Sequence, residues 1–376
     1  MVTNQPLPSI GAEQFPSVSQ LIQQGIQQHL HHGMQVYVSR DADVLANFAL
    51  GNNTSETPLS PETLMLWLSS GKPLTATAIL QLWERGRIDL DAPVSEVLPE
   101  FAVGGKDIIT PRHLLTHTAG LRPIVSGWPH KTWEQILDRI TASPMQEDWE
   151  VGRQAAYDPA RSWFVLGEMI HRLDGRTVNN YVREEILEPT GMFDTWMSMP
   201  GQLYQAYGDR IGVTYGHKDG ELNPTAGHQR DACKTPAPGS SMRGPASNLG
   251  RFYEMLLRNG TTTDGSVILQ PATVAEMTRR QRQGIHDRTF KHVVDFGLGL
   301  LVNSSQYGPD TVPYGFGRHA SALSFGHGGA QSSIGFADPV HGLAVVLIAN
   351  GCPGEELHNQ RFRELASAVY HDLDLI

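Results

Sequence analysis

The sequence predicts an α+β fold: one antiparallel sheet formed by both chain ends and flanked by helices, with an inserted mainly helical region. Three observations lead there. β-like runs gather near the N-terminus and again near the C-terminus. The long stretch between them carries mostly helical periodicity. Each group of strands has an apolar-faced helix beside it in the chain, so strands and helices are segregated, not alternating. With 376 residues, 40% of them hydrophobic, the chain can bury a sizeable core. The sheet part is expected over residues 1–60 and 291–376 and the helical part over 61–290.

The elements follow in order. Val18, Leu21, Ile22, Ile26 and Leu30 recur at helical spacing, which predicts a helix over 17–32 with the "HLHH" of 29–32 as its solvated end. "MQVYVSR" and "VLANFALG" flank the turn formers "DAD" at 41–43 and read as a hairpin. Helices are expected over 70–85, 132–142, 161–174, 178–187, 246–258 and 271–282, with loops rich in Gly and Pro at 118–130 and 235–245. Strand signals return at 296–302, 332–338 and 342–351, the last two joined by "PVH", and a helix closes the chain over 355–372.

Composition narrows the function. Acidic residues outnumber basic ones 39 to 29, for a net charge of −10, which disfavours nucleic acid and anionic membranes as partners. Cys233 and Cys352 stand far apart, in neither a disulfide framework nor a metal spacing. The first fifteen residues contain no Lys or Arg and no apolar run, so no export signal is read there. The longest apolar run, "LAVVLIA", is too short for a membrane helix. A soluble, cytoplasmic protein is expected. His113 and His117 are four apart, but the Glu of a His-Glu-x-x-His zinc site is missing, so both read as structural. No metal and no cofactor are expected.

One short stretch carries chemistry. In "LSSGKPLTA" a serine, Ser69, precedes a lysine, Lys72, by three residues. Pro73 is tolerated only in the first turn of a helix, so the helix begins near 69–70 and puts Ser69 at its N-terminus with Lys72 on the same face. A serine needs a neighbour to take its proton, and a lysine can do so if burial lowers its pKa. Leu66, Trp67, Leu68, Leu74 and Ile79 are candidates for the burying shell. The bland reading is a serine cap beside an exposed lysine. A phosphate loop is excluded, because Leu66 stands where its first glycine would be and Pro73 follows the lysine. No Gly-x-Ser-x-Gly elbow occurs.

"LSSGKPLTA", "GRIDLDAPVSEVLPEF" at 86–101, "ITPRHLLTHTAGL" at 109–121, "ILEPTGMFDT" at 186–195 and "GPASNLGRFYEML" at 244–256 together resemble the serine β-lactamase-like proteins. That family includes class C β-lactamases, DD-peptidases, family VIII carboxylesterases and related transacylases. The resemblance implies an acyl-enzyme mechanism on Ser69 with Lys72 as its base. It also implies a tyrosine, best matched by Tyr157 in "AAYDPARSWF", able to relay protons and eased toward its anion by the lysine. The family's β-lactamases carry an asparagine where this chain has Pro159. A third motif, on an edge strand, is matched by His327, Gly328 and Gly329 rather than by "KTP" at 234–236, where proline replaces the glycine. There the glycines would allow close backbone approach and a free N–H would face an oxyanion, with a second N–H on Ser69 itself.

The reading that follows is a serine hydrolase acting through an acyl-Ser69 intermediate, esterase-like and favoured over β-lactamase. Its partner is a small-molecule acyl donor, an ester or amide. Alternatives are transfer of the acyl group to an amine or alcohol acceptor, a D-amino-acid amidase or peptidase, and a binding or sensor protein on the same fold.

Overall fold

The apolar run Leu343–Ala349 is a strand buried at every residue. An antiparallel strand can be buried on both sides only if helices cover both faces of its sheet. The computed structural model describes residues 8–218 and 220–376. The first seven residues, part of the stretch read as lacking an export signal, lie outside the described residues. Seven strands form the main sheet: β1 (Gly33–Arg40), β2 (Asp43–Gly51), β3 (Asp295–Phe296), β4 (Leu301–Val302), β5 (Phe325–Gly329), β6 (Ser333–Asp338) and β7 (Leu343–Ala349). Their order is β2-β1-β7-β6-β5-β4-β3, with every neighbouring pair antiparallel. Strand β1 from one end of the chain thus pairs with β7 from the other, Met34 opposite Ala349 and Arg40 opposite Leu343. The expected α+β class and the sheet built from both ends are both present.

Five helices matter below: α1 (Pro16–Gln27), α2 (Lys72–Glu84), α3 (Arg161–Asp174), α4 (Ala246–Leu257) and α5 (Glu355–Asp372). Alternate strand residues point to opposite faces. Val36, Val38, Val345 and Leu347 share one core with Val18 and Ile22 of α1 and Phe362, Leu365 and Val369 of α5. Tyr37, Ala344, Val346 and Ile348 share the other with Leu249, Phe252 and Tyr253 of α4. The end of α1 is capped from afar. Phe15 offers it no side chain, and the Asp372 carboxylate accepts the N–H groups of Ser17 at 3.3 Å and Val18 at 3.1 Å.

Several expected boundaries move. The helix read over 17–32 stops at Gln27, and His29 turns the chain with φ of 57°. Of the end read as solvated, His29 is exposed but His31 forms a buried polar joint. His31 is 1% exposed, bonds the Ile22 carbonyl through Nε2 at 3.1 Å, and accepts from Arg361 Nη1 at 2.9 Å through Nδ1. The strand read over 296–302 is a tight turn between β3 and β4. It bends at Gly299, where φ is 77° and a Cβ would meet that of Ala76 at 2.4 Å. The helix read over 271–282 ends at Thr278, and that over 178–187 widens to a π turn from Arg183 to Leu187. Among the described residues no helix is long and apolar enough to cross a membrane.

The His31 joint predicts sensitivity to acid. Burial, with Arg361 adding to it, lowers its pKa from 6.5 to about 3. The unfolded chain therefore binds a proton that the folded one refuses, and stability present above pH 6.5 is lost as pH falls. Between 6.5 and about 5 the loss from this residue is about 2 kcal/mol. Urea unfolding at pH 7 and pH 5, compared between wild type and His31→Gln, should show that share of the pH dependence vanish in the variant.

Candidate active site

The turn before α2 is built on a strained residue. Leu68 has φ of 50°, a conformation that a side-chain-bearing residue keeps only when its surroundings impose it. Trp67 supplies part of the constraint, its N–H donating to Met242 O and its indole to Gly244 O, both at 2.8 Å. Leu68–Gly71 then form a 3-10 turn that runs into α2 at Lys72, so Ser69 sits one turn ahead of the α-helix proper. Ser70 is used up structurally: its hydroxyl donates to His327 O at 3.0 Å, and Ser333 Oγ, 2.9 Å away, donates to Trp67 O at 2.7 Å. This clamps the turn onto β5. Gly328 and Gly329 are needed for that clamp. A Cβ on Gly329 would meet Trp67 O at 2.2 Å, and one on Gly328 the Tyr314 ring at 2.1 Å. The close approach expected of these glycines is made to the protein's own turn and ring.

Lys72 has no exposed surface. Its Nζ lies 2.8 Å from Ser69 Oγ, 2.9 Å from Pro159 O and 2.6 Å from Gly239 O. Burial brings its pKa from 10.5 down to about 7, with Asp158 pulling the other way. Carbonyl oxygens only accept hydrogen bonds. When the amine is neutral, its two N–H bonds go to the carbonyls and its lone pair is left for the Ser69 hydroxyl. The rings of Trp163 and Tyr157 also lie near it, 5.1 and 5.4 Å from Nζ. Pro159, which stands where an asparagine was expected, holds the lysine through its backbone carbonyl.

Tyr157 sits in the loop before α3 and lines the same cavity as Ser69. Burial raises its pKa, the Ser69 hydroxyl pulls it down, and Asp158, Asp287 and Glu355 push it up further. The expected easing toward the anion is therefore reversed. Tyr157 is a neutral phenol, because its own burial is the largest influence on it and disfavours the anion. Asp158 caps α3, accepting from Ala160 N, Arg161 N and Arg161 Nε at 3.0 Å, Ser162 N at 2.9 Å and Ser162 Oγ at 2.8 Å. His117 does the structural work read for it, accepting the Asp158 N–H at 3.0 Å through Nδ1 with its ring 4.6 Å from that of Tyr157. Asp287, invisible to sequence reasoning, accepts the N–H groups of Tyr157, Thr289 and Phe290 at 3.0, 2.9 and 3.1 Å, with Arg282 Nη1 3.0 Å away.

His327 lies on β5, which is an interior strand in sheet order but a local edge: β4 pairs only with Phe325 and Gly326. Its Nδ1 donates to Gly328 O at 2.7 Å, while Nε2 is buried without a partner. Burial, then Lys72, lower its pKa to about 3. It brings no charge to a substrate. The backbone N–H groups of Ser69 and Ala330 have no hydrogen-bond partner among the described residues. Both residues line a cavity of about 480 Å³ with Tyr157, Phe290, Tyr314 and His327. Ala330, just past the glycines, is a donor that the motif reading left unassigned.

Residues 18–370 match the family described as Beta-lactamase, so the chain belongs to the β-lactamase family. The esterase EstB of Burkholderia gladioli is 28% identical over 359 residues, spanning 85% of this chain and 86% of its own. Two solved structures superpose with a TM-score of 0.79 at 25% identity. One is a penicillin-binding protein homologue from Caulobacter crescentus, spanning 98% of this chain and 100% of its own. The other is EstCE1, described as a hydrolase with promiscuous acyltransferase activity, spanning 96% and 100%.

If the neutral amine of Lys72 is the working form, kcat/KM for an uncharged ester should rise with pH through about 7 and level off above. A profile flat from pH 6 to 8 contradicts this. Lys72→Arg should abolish the rise together with the activity, since arginine keeps its proton.

Proposed function

We propose that the chain is a serine hydrolase of esterase type that forms an acyl-enzyme on Ser69. The observation that carries this reading is the set of contacts at Lys72: two carbonyls occupy its N–H groups and leave the lone pair for the Ser69 hydroxyl at 2.8 Å. In the proposed cycle Ser69 Oγ passes its proton to Lys72 and bonds to the acyl carbon. The oxygen of the tetrahedral intermediate takes the N–H groups of Ser69 and Ala330. As the intermediate collapses, the bond to the alcohol breaks. The Lys72 proton reaches the departing oxygen through Tyr157, which accepts one proton as it gives up its own. Such a relay needs a phenol, not a phenolate, in keeping with the raised pKa of Tyr157. Water then attacks by the same route in reverse, with Lys72 as its base.

Two features favour esters over β-lactams. His327 presents no charge to a substrate carboxylate, and with Nδ1 donating to Gly328 O its unpartnered Nε2 is an acceptor, not a donor. Pro159 supplies no side-chain amide near the acyl group. A second reading, transfer of the acyl group to an amine or alcohol, is favoured by the size of the cavity, about 480 Å³, which has room for an acceptor beside the acyl chain.

A fluorophosphonate probe should leave one adduct, on Ser69, and Ser69→Ala should abolish both the adduct and ester turnover. Mass spectrometry placing the adduct on Ser70 would overturn the assignment. With intact wild type, p-nitrophenyl butyrate should be cleaved with a higher kcat/KM than nitrocefin. Amide formation that increases with added amine would promote the transfer reading.

A further inference from the structure

The charges around the Ser69 cavity are unevenly fixed. Lys72 is sealed below the surface and His327 offers no charged nitrogen. Two full charges remain at the border, Lys291 and Glu355. Lys291 is exposed on a hairpin tip and its ammonium has no hydrogen bond or ion pair among the described residues, so it is free to stay in water. Glu355 is held. The Tyr314 hydroxyl donates to its Oε2 at 2.8 Å, and Tyr314 is anchored by its own N–H to Asn359 Oδ1 at 3.0 Å and by its ring against Gly328. Its charge is felt at the reacting centre, where it helps to raise the Tyr157 pKa.

The same wall is aromatic. The Phe290 ring lies between those of Tyr157, at 4.7 Å, and Tyr314, at 5.6 Å. Aromatic faces attract cations, and a row of rings ending in a carboxylate is the chemistry that holds a quaternary ammonium group. A carboxylate or sulfonate placed there would meet the fixed charge of Glu355 instead.

We propose that the wall formed by Tyr157, Phe290, Tyr314 and Glu355 is a cation subsite, and that the preferred substrates are esters carrying an ammonium group. This rests on the esterase reading for its turnover arm and stands apart from it in its binding arm.

The turnover arm compares isosteric pairs. Butyrylcholine is set against 3,3-dimethylbutyl butyrate. The p-nitrophenyl ester of 4-(trimethylammonio)butanoate is set against those of 5,5-dimethylhexanoate and 4-sulfobutanoate. The ammonium ester should exceed its neutral isostere in kcat/KM by about ten-fold in at least one pair, and the sulfonate should fall below it. Glu355→Gln should remove most of that ratio, and added salt should shrink it in wild type. Ratios at or below one in both pairs, or a ratio unchanged by Glu355→Gln and by salt, overturn the proposal. The binding arm needs no turnover: calorimetry should show butyltrimethylammonium binding to wild type and about ten-fold weaker binding to Glu355→Gln. No binding to wild type overturns the subsite. If no ester, charged or neutral, is cleaved while the cation binds, the esterase reading fails and the subsite stands.

Discussion

An amine cut off from water sets the terms for everything around it. Lys72 can lose its proton near pH 7 only while three segments stay closed over it: α2, the loop before α3, and the loop that carries Gly239. Gly239 must lack a side chain, since a Cβ there would press on Trp163 at 2.8 Å and on Pro159 O at 2.9 Å. Asp158 is the standing threat, a buried carboxylate that favours the protonated amine. Five hydrogen bonds, from Arg161, Ser162 and the first N–H groups of α3, absorb its charge locally. Burial pushes its pKa up, but Arg161 and these donors outweigh that and keep it below the usual carboxylate range. The cap of α3 and the basicity of Lys72 are therefore one balance.

A second balance joins the turn to the sheet. Ser70, Ser333 and Gly329 bring the Ser69 turn into contact with a strand more than two hundred residues away in sequence. The strain at Leu68 is held by that contact and by Trp67. Asp287 does the equivalent for the other side of the cleft, tying the Tyr157 loop and the Phe290 wall to one carboxylate. The Tyr157 phenol and the cavity wall thus keep their spacing together.

Local patterns in the chain were enough for the class of fold, the pairing of its two ends and the Ser69–Lys72 register, because apolar periodicity and the placement of Pro73 are short-range signals. They failed where the deciding contact is remote. His31 reads as solvated until Arg361 arrives from α5. The run at 296–302 reads as one strand until Ala76 forces the bend at Gly299. Tyr157 reads as acidified by a cation, and only the folded chain shows the phenol buried, which outweighs that effect. Asp158 before the apolar run of α3 was a legible cap signal. Asp287, Gly239 and Ala330 had none, since each matters through partners far along the chain.

The capping of α1 by Asp372 has a bearing on how the protein comes into being. A ribosome releases the first helix and the β1–β2 hairpin long before it makes residue 372, and β1 cannot find β7 until the last strand has emerged. Until then one edge of the hairpin lies open, an invitation to pair with another nascent chain. The sheet closes, and the Ser69 turn finds the strand that clamps it, only after β5, β6 and β7 have been made. The closing contact joins α1 to α5 across 355 residues of chain.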